Sequence, residues 1–537
     1  MAQIPFRANL QTMTFPLLSE LSGRTVIVPG QDQTFVPGVS VPSTAAEGNS
    51  QVPADRGVPQ IYYAHNVMPS TYGYQSVGYD TLYTGINWGG FPPVTLNFTA
   101  AHLIQGAQIV SSKPASTGYK TYIARAGSAT NHTFTLDPVA KNWKLSGSFP
   151  ATVSDITVAT VNGVSYIFFS KVGAYIYNNN TNTLIPRTFT GLDVTKVLGI
   201  ISSNGYLIAY TATSIAWSSV VDVEDFVPSD VSGAGGGQIQ EAKGAIVTAS
   251  VTALGFILYT TANAVSVIYS GNADFPWNFK GIPSSGGISS AKLVSQEQTG
   301  GFQQVYSTNG MQQVGHTGAK TIAPQVTDFI AGQLFEDFDT TTNLFTQTEF
   351  TWTMNKSLAV IADRYVVISY ALQPTGVLTH AIVLDVTQNR MGKLKLPHNS
   401  CFELRAISSQ LTETPRGSLA LLQADGTIKA VDFNFNSEAE DSALFLGKYQ
   451  YVRQRMLELQ EVEFENIKAG ADFEFRGYPS LDGKNYLTSQ PGYLQESTAN
   501  YRRYSFPEMV GTNISLLFKG RFNLVSLLLW FNVHGRR

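Results

Sequence analysis

A single cysteine, Cys401, stands in the 537 residues. That excludes an internal disulfide and any zinc site built on several thiolates. Its apolar neighbour Phe402 points to a packed thiol rather than a reactive one. Charge is also scarce, with Asp, Glu, Lys and Arg making up 14% of the chain against about a quarter in ordinary globular proteins. The formal net charge is −3, and the basic pairs go no further than Arg502-Arg503 and Arg536-Arg537, so the footprint of a dedicated nucleic-acid binder is missing. The longest apolar run, Leu524 to Val533, is interrupted by Ser526 and Asn532. It falls well short of the roughly 20 residues a membrane-spanning helix requires and reads as a core strand. Met1 to Leu10 carries Pro5 and polar residues where a secretory signal needs an unbroken apolar stretch, so no export by that route is expected.

Catalytic signatures are equally thin. The seven histidines stand singly, without the spacing that lets one element grip a metal. There is no Gly-x-Ser-x-Gly elbow, and Gly235-Gly236-Gly237 lacks the Lys-Ser/Thr of a phosphate loop. The stretch Ser480 to Tyr486 is similar to a sialidase Asp-box, but Gly483 follows Asp482 directly, as in a hairpin turn. Acidic clusters occur at Asp222, Glu224 and Asp225, at Glu336, Asp337 and Asp339, and at Glu438, Glu440 and Asp441. Glycoside hydrolysis would need two carboxylates facing each other across the bond, and solvated loops are the simpler reading of these groups. The sequence therefore predicts no enzyme, no metal and no cofactor.

Aromatic and turn-forming residues are what the chain has in abundance: 31 Phe, 25 Tyr and 47 Gly, with many Val and Thr, a β-rich composition. Short apolar runs pair off at intervals of roughly 40 to 50 residues, the spacing of propeller blades. Asn162-Gly163, Asn204-Gly205, Asn309-Gly310 and Asp425-Gly426 each sit between alternating runs, where Asx-Gly supplies the left-handed residues of a hairpin turn. Seven such units can be marked, from Thr121–Leu136 to Leu419–Asp432. The predicted fold is all-β, a β-propeller of about 6–8 irregular blades over residues 59–447 whose last blade is completed by a strand from elsewhere in the chain. Residues 1–58, rich in proline and small polar side chains, read as an extended arm that orders on a partner. Residues 448–537 read as a C-terminal β domain. Within them, Met456 to Glu465 alternates apolar and acidic residues as a strand does, although its Leu and Glu content also suits a helix.

Two passages carry a resemblance to a known family. One is the run Tyr206 to Tyr210, then Ala216-Trp217-Ser218-Ser219 ending in Asp225-Phe226, the glycine-rich hinge Gly233 to Gly237, and the hairpin Phe256 to Tyr269. The other is Asp274-Phe275-Pro276-Trp277-Asn278-Phe279 followed by Ser284 to Ile288. In this order they resemble the tail nozzle proteins of short-tailed bacteriophages. The resemblance implies a structural virion protein assembled in the host cytoplasm. Copies would form a homo-oligomeric ring, expected to be a hexamer, that prolongs the DNA channel below the portal and adaptor and supports fibres or spikes. Double-stranded DNA would pass transiently and without specificity. The acidic loops at Asp222, Glu224 and Asp225 and at Glu438, Glu440 and Asp441 are then candidates for a lumen wall that repels phosphate. The alternative reading is a receptor- or glycan-binding propeller, including a glycoside hydrolase.

Overall fold

The computed structural model describes residues 61–295, 302–322, 356–405, 418–432, 442–450, 456–481 and 487–533 with short internal omissions, together with the strands Gln3–Asn9, Val39–Ser40, Gln333–Asp339 and Leu344–Glu349. Among the described residues there is no α-helix, and antiparallel strands dominate throughout. Four consecutive blades are complete four-stranded meanders. The first comprises Phe98–Val110, Lys113–Gly127, Thr130–Asp137 and Asn142–Pro150. The second runs from Ile156–Val161 to Thr183–Arg187, the third from Gly199–Ser203 to Gly235–Gln238, and the fourth from Ile246–Thr252 to Trp277–Gly281. A single bridge between Gly106 and Val164 links the first two. In the fifth blade, Phe302–Ser307, Gly310–Gly315 and Gly318–Thr321 are joined on the inside by Val294, which bridges Val305 antiparallel. The sixth blade runs from Lys356–Ile361 to Arg390–His398. The seventh has Ser400–Leu404, Ser418–Leu422 and Ile428–Asp432, and takes its outer strand, Gly78–Tyr83, from far upstream.

Closure of the ring is visible in the packing. The inner strands of blades one, two, three and four lie side by side, as do those of five, six, seven and one. Blades four and five are stitched by Gln303, whose amide donates to Ser250 Oγ at 2.7 Å and to the Val251 carbonyl at 2.9 Å. Each pair of neighbouring blades encloses its own apolar cluster. Tyr119, Ile123 and Phe169 fill the gap between one and two, and Phe168, Ile200 and Phe226 that between two and three. Ile208, Phe256 and Trp277 lie between three and four, Ile257, Tyr259 and Val305 between four and five, and Tyr306, Val366 and Ile368 between five and six. Val367, Leu394 and Leu421 separate six from seven. Between seven and one, Phe98, Trp143, Phe402 and Leu422 close the circle. A sandwich has one core between two sheets; seven wedges around an axis define a propeller.

Local chemistry explains the blades. Asn162 and Gly163 both have positive φ, 50° and 75°, as do Asn204 and Gly205 at 50° and 84°, the signature of type I′ turns. At the other two predicted turns only the glycine is left-handed, Gly310 at 83° and Gly426 at 89°, the pattern of a type I turn closed by a glycine bulge. The predicted hinge Gly233 to Gly237 is different in the structure, because Gly235–Gln238 is the outer strand of the third blade. Glycine is required there for close approach: a Cβ at Gly235 would lie 2.7 Å from the Trp217 ring. Without side chains, such a strand shows no alternation to read.

The second unit crosses the predicted boundary at residue 447. Ala443–Gln450 pairs with Ile61–His65 on one side and Asn513–Lys519 on the other. Leu457–Glu465 is a strand, not a helix, between Tyr501–Gly511 and Ser526–Val533. Gln3–Asn9, in the predicted arm, pairs with Ser526–Val533 of its own chain, so these residues find a partner without a second subunit. The rest of the arm, apart from Val39–Ser40, lies outside the described residues. Between the two units, the outer strand of blade six is extended by Val67–Pro69, Tyr74–Ser76, Phe522–Leu524 and Lys468–Ala469 into one eight-stranded sheet. One apolar cluster spans the junction, from Val366 and Ile382 of blade six to Phe464, Phe475 and Phe518.

Candidate functional site: the two faces of the propeller

Strands that alternate in direction divide a propeller's loops between two faces. Turns joining strands one to two and three to four lie on one, here called the turn face. Connections from each outer strand to the next inner strand lie on the other, the entry face.

On the entry face, charged groups gather near the axis. His102 lies on the inner strand of blade one, Asp155 just ahead of that of blade two, and Lys292 in the 3-10 turn Ala291–Leu293 before that of blade five. Burial holds the His102 pKa below its usual value. Asp155 pulls it up, whereas Lys292 and Arg125 push it down further. One carboxylate thus shares this end of the axis with two cations.

Of the predicted acidic loops, one lies away from this axis and the other falls outside the described residues. Asp222, Glu224 and Asp225 belong to the loop between Ser214–Trp217 and Gly235–Gln238, the two outermost strands of blade three. That loop leaves the turn face and packs down the rim against blade two, where Thr190 and Asp225 form a parallel bridge and Phe226 enters the apolar wedge. Glu224 is engaged there: Arg187 donates to it from Nε at 2.6 Å and from Nη2 at 2.8 Å, and the Tyr166 hydroxyl adds a third bond at 3.1 Å. Asp222 and Asp225 instead accept backbone N–H groups of Glu224 and Val227. Glu438, Glu440 and Asp441 lie outside the described residues, as does most of the Ser480 to Tyr486 turn.

The remaining reactive side chains are structural. Cys401 is buried in the wedge between blades six and seven, and burial pushes its thiol pKa far up, so little thiolate forms. His316 lies between two hydroxyls, Ser266 Oγ at 2.6 Å and Thr252 Oγ1 at 2.5 Å, pinning blade five to blade four. His398 Nδ1 donates to the Leu396 carbonyl at 2.6 Å, leaving Nε2 to accept the Ser369 hydroxyl at 2.8 Å. This looks like a Ser-His pair, but Ser369 is fully buried and the third partner is a carbonyl, not a carboxylate. Burial lowers the His398 pKa to about 4 despite the Leu396 bond, and His380 adds to the lowering. In the unfolded chain the ring takes its proton near pH 6.5. The neutral ring's contribution to stability is therefore complete above pH 6.5 and declines as pH falls towards 4, by roughly 3 kcal/mol in all. Urea unfolding across that window should show this slope, and His398→Gln should remove most of it. An unaltered slope in the variant would assign it to other groups.

No group of three or more His, Cys, Asp or Glu side chains is arranged to hold a metal among the described residues. None of their helices is long and apolar enough to cross a membrane. What sequence reasoning missed is the turn face of blades three and four. Val220, Val221, Leu254, Tyr269 and Phe275 all stand exposed there. The signal was present in the sequence as apolar residues inside loops, where hairpin turns are ordinarily polar.

No family model matches the chain, and no curated protein is significantly similar to it. Among solved structures it is similar to BamB from Moraxella catarrhalis, at 9% identity and a TM-score of 0.32, covering 68% of this chain and 94% of that one. It is also similar to the WD40 β-propeller domain of Doa1, at 10% identity and a TM-score of 0.33, covering 63% and 97%. Likenesses this loose carry no argument about function, and the fold stands on the sheet topology: the protein is all-β and built on a β-propeller.

Proposed function

We propose that this chain is a structural subunit of a bacteriophage tail nozzle. Copies form a ring, expected to be a hexamer, that extends the DNA channel beneath the portal and adaptor and supports fibres or spikes. The observation that favours this reading, beside the sequence resemblance, is the eight-stranded sheet running from blade six into the second unit. It fixes the two parts against each other, as a load-carrying ring component requires. In such a ring the loop of Asp222 and Asp225 would face either the bore or a neighbouring protein. Val221 beside them is almost fully exposed, which favours the protein, since an apolar side chain gains nothing from sliding duplex.

Coexpression with a tail adaptor protein, followed by electron microscopy of the purified complex, tests the proposal. Rings stacked on adaptor are the expected result. A monomer that ignores adaptor and binds glycans on an array would support the second reading, which the exposed rings of Tyr269 and Phe275 favour as surfaces for sugar stacking.

A further inference from the structure

We infer that the turn face of blades three and four is a docking surface for a partner protein segment in which Lys or Arg alternates with aliphatic or aromatic residues. Two independent features of this face lead there.

The first is a group of exposed apolar side chains on the loops of two neighbouring blades. Val221 is 95% exposed, Phe275 75% and Leu254 59%, with Val220, Val251 and Tyr269 also open to solvent. Leu254, Tyr269 and Val220 are linked through neighbouring residues of the same face. The Tyr269 N–H donates to the Leu254 carbonyl at 3.2 Å, and the Tyr269 ring lies 6.2 Å from that of Tyr206. Gly205, next to Tyr206, has Val220 within 3.8 Å of where a Cβ would sit. Scattered single apolar residues need no explanation, but a group gathered on one face marks a contact.

The second is the sign of the charge. Between Ser203 and Phe279 the sole basic residue is Lys243, and its backbone bond to Asn263 places it at the entry face. The loop of Val220 and Val221 runs on through Asp222, Glu224, Asp225 and Asp230; among these described residues Glu224 is ion-paired, to Arg187 at the rim of blade two. An apolar patch flanked by the exposed Asp222 and Asp230, with Arg187 of blade two already paired to Glu224, repels nucleic acid and anionic partners and complements a basic, apolar one. Four of its six residues, Val220, Val221, Val251 and Leu254, are aliphatic, which suits leucine or tyrosine side chains better than the flat, polar faces of sugars. The inference does not depend on the ring reading, because the surface is complete within one chain.

The test uses the full-length protein and a short synthetic peptide alternating Lys with Leu and Tyr, alongside a counterpart with Glu in place of Lys. The Lys peptide should bind, more weakly as salt rises, and the Glu peptide should not. Leu254→Ser combined with Phe275→Ser should weaken binding by about tenfold or more. Asp222→Asn combined with Asp230→Asn should flatten the salt dependence. Val139→Ser, another exposed apolar site, on blade one, serves as control and should change nothing. All these side chains are at the surface, and unchanged thermal midpoints will show that the variants fold. The inference is overturned if the Glu peptide binds equally well or if the Leu254/Phe275 variant binds like the control. It is also overturned if that variant instead abolishes self-association seen by sedimentation, which would make the occupant a second copy, or if only glycans bind.

Discussion

Trp143→Ala should lower the stability of the propeller by about 4 kcal/mol, the scale of emptying a fully packed aromatic site. Trp143 is the largest fully buried side chain described. It sits where the first blade meets the last, 5.3 Å from the Phe98 ring, with its indole N–H donating to the Gly426 carbonyl at 2.6 Å. The cavity would open at the seam of the ring, next to the blade whose outer strand comes from Gly78–Tyr83. Trp143→Phe keeps most of the contact area and loses the hydrogen bond, so about 1 kcal/mol is expected. Urea denaturation followed by circular dichroism measures both. Equal, small effects would mean that the seam contributes little to closure.

The second large effect is expected at the junction with the C-terminal unit. Asp385, with no side-chain exposure, accepts from Arg364 Nη2 at 2.6 Å and Nε at 3.0 Å, and from Thr387 Oγ1 at 2.6 Å. Burial alone would raise its pKa, but the bonds from Arg364 and Thr387 and the Arg364 charge outweigh that and hold it below the usual value. Arg390 lies alongside, donating to the carbonyls of Gly73 and Ser70 in the turn that leads from blade six into the shared sheet. Arg364→Met leaves the Asp385 carboxylate buried without its main partner, at a cost of about 3 kcal/mol. The variant should lose stability in urea as pH rises above the carboxylate range and recover part of it in acid, where protonation removes the uncompensated charge. A variant as stable as the parent at pH 7 would show that solvent already neutralises the site.

The hairpins were legible because their determinants are local. Asn162-Gly163 and Asn204-Gly205 specify their own backbone geometry, and the flanking runs are short, apolar and rich in β-branched and aromatic residues. The inner strand of blade five was not legible: Val294-Ser295 is short and sits in a Ser- and Gly-rich stretch without periodicity. A distant strand completing the last blade was expected and is found, but its identity as Gly78–Tyr83, paired with Ile428–Asp432, was not legible, nor was the pairing of Ile61–His65 with Ala443–Gln450. In both cases the partners are chosen by closure of the whole ring and sheet, and no nearby residue records the choice. At the candidate site, the acidity of Asp222 to Asp225 was evident from sequence. That Arg187 would claim Glu224 was not, because the two meet only when blades two and three pack.

Strands near both ends of the chain meet in the second unit, and this has a consequence for the order of synthesis. Gln3–Asn9 and Ile61–His65 leave the ribosome long before their partners Ser526–Val533 and Ala443–Gln450. The blades between them can form as they emerge, each on its predecessor, while the leading strands wait for roughly tens of seconds at ordinary elongation rates. During that interval their edges are unpaired and open to wrong partners. The leading strands are thus the vulnerable ones, and a break in translation ahead of Ala443 would leave folded blades trailing segments with nothing to join.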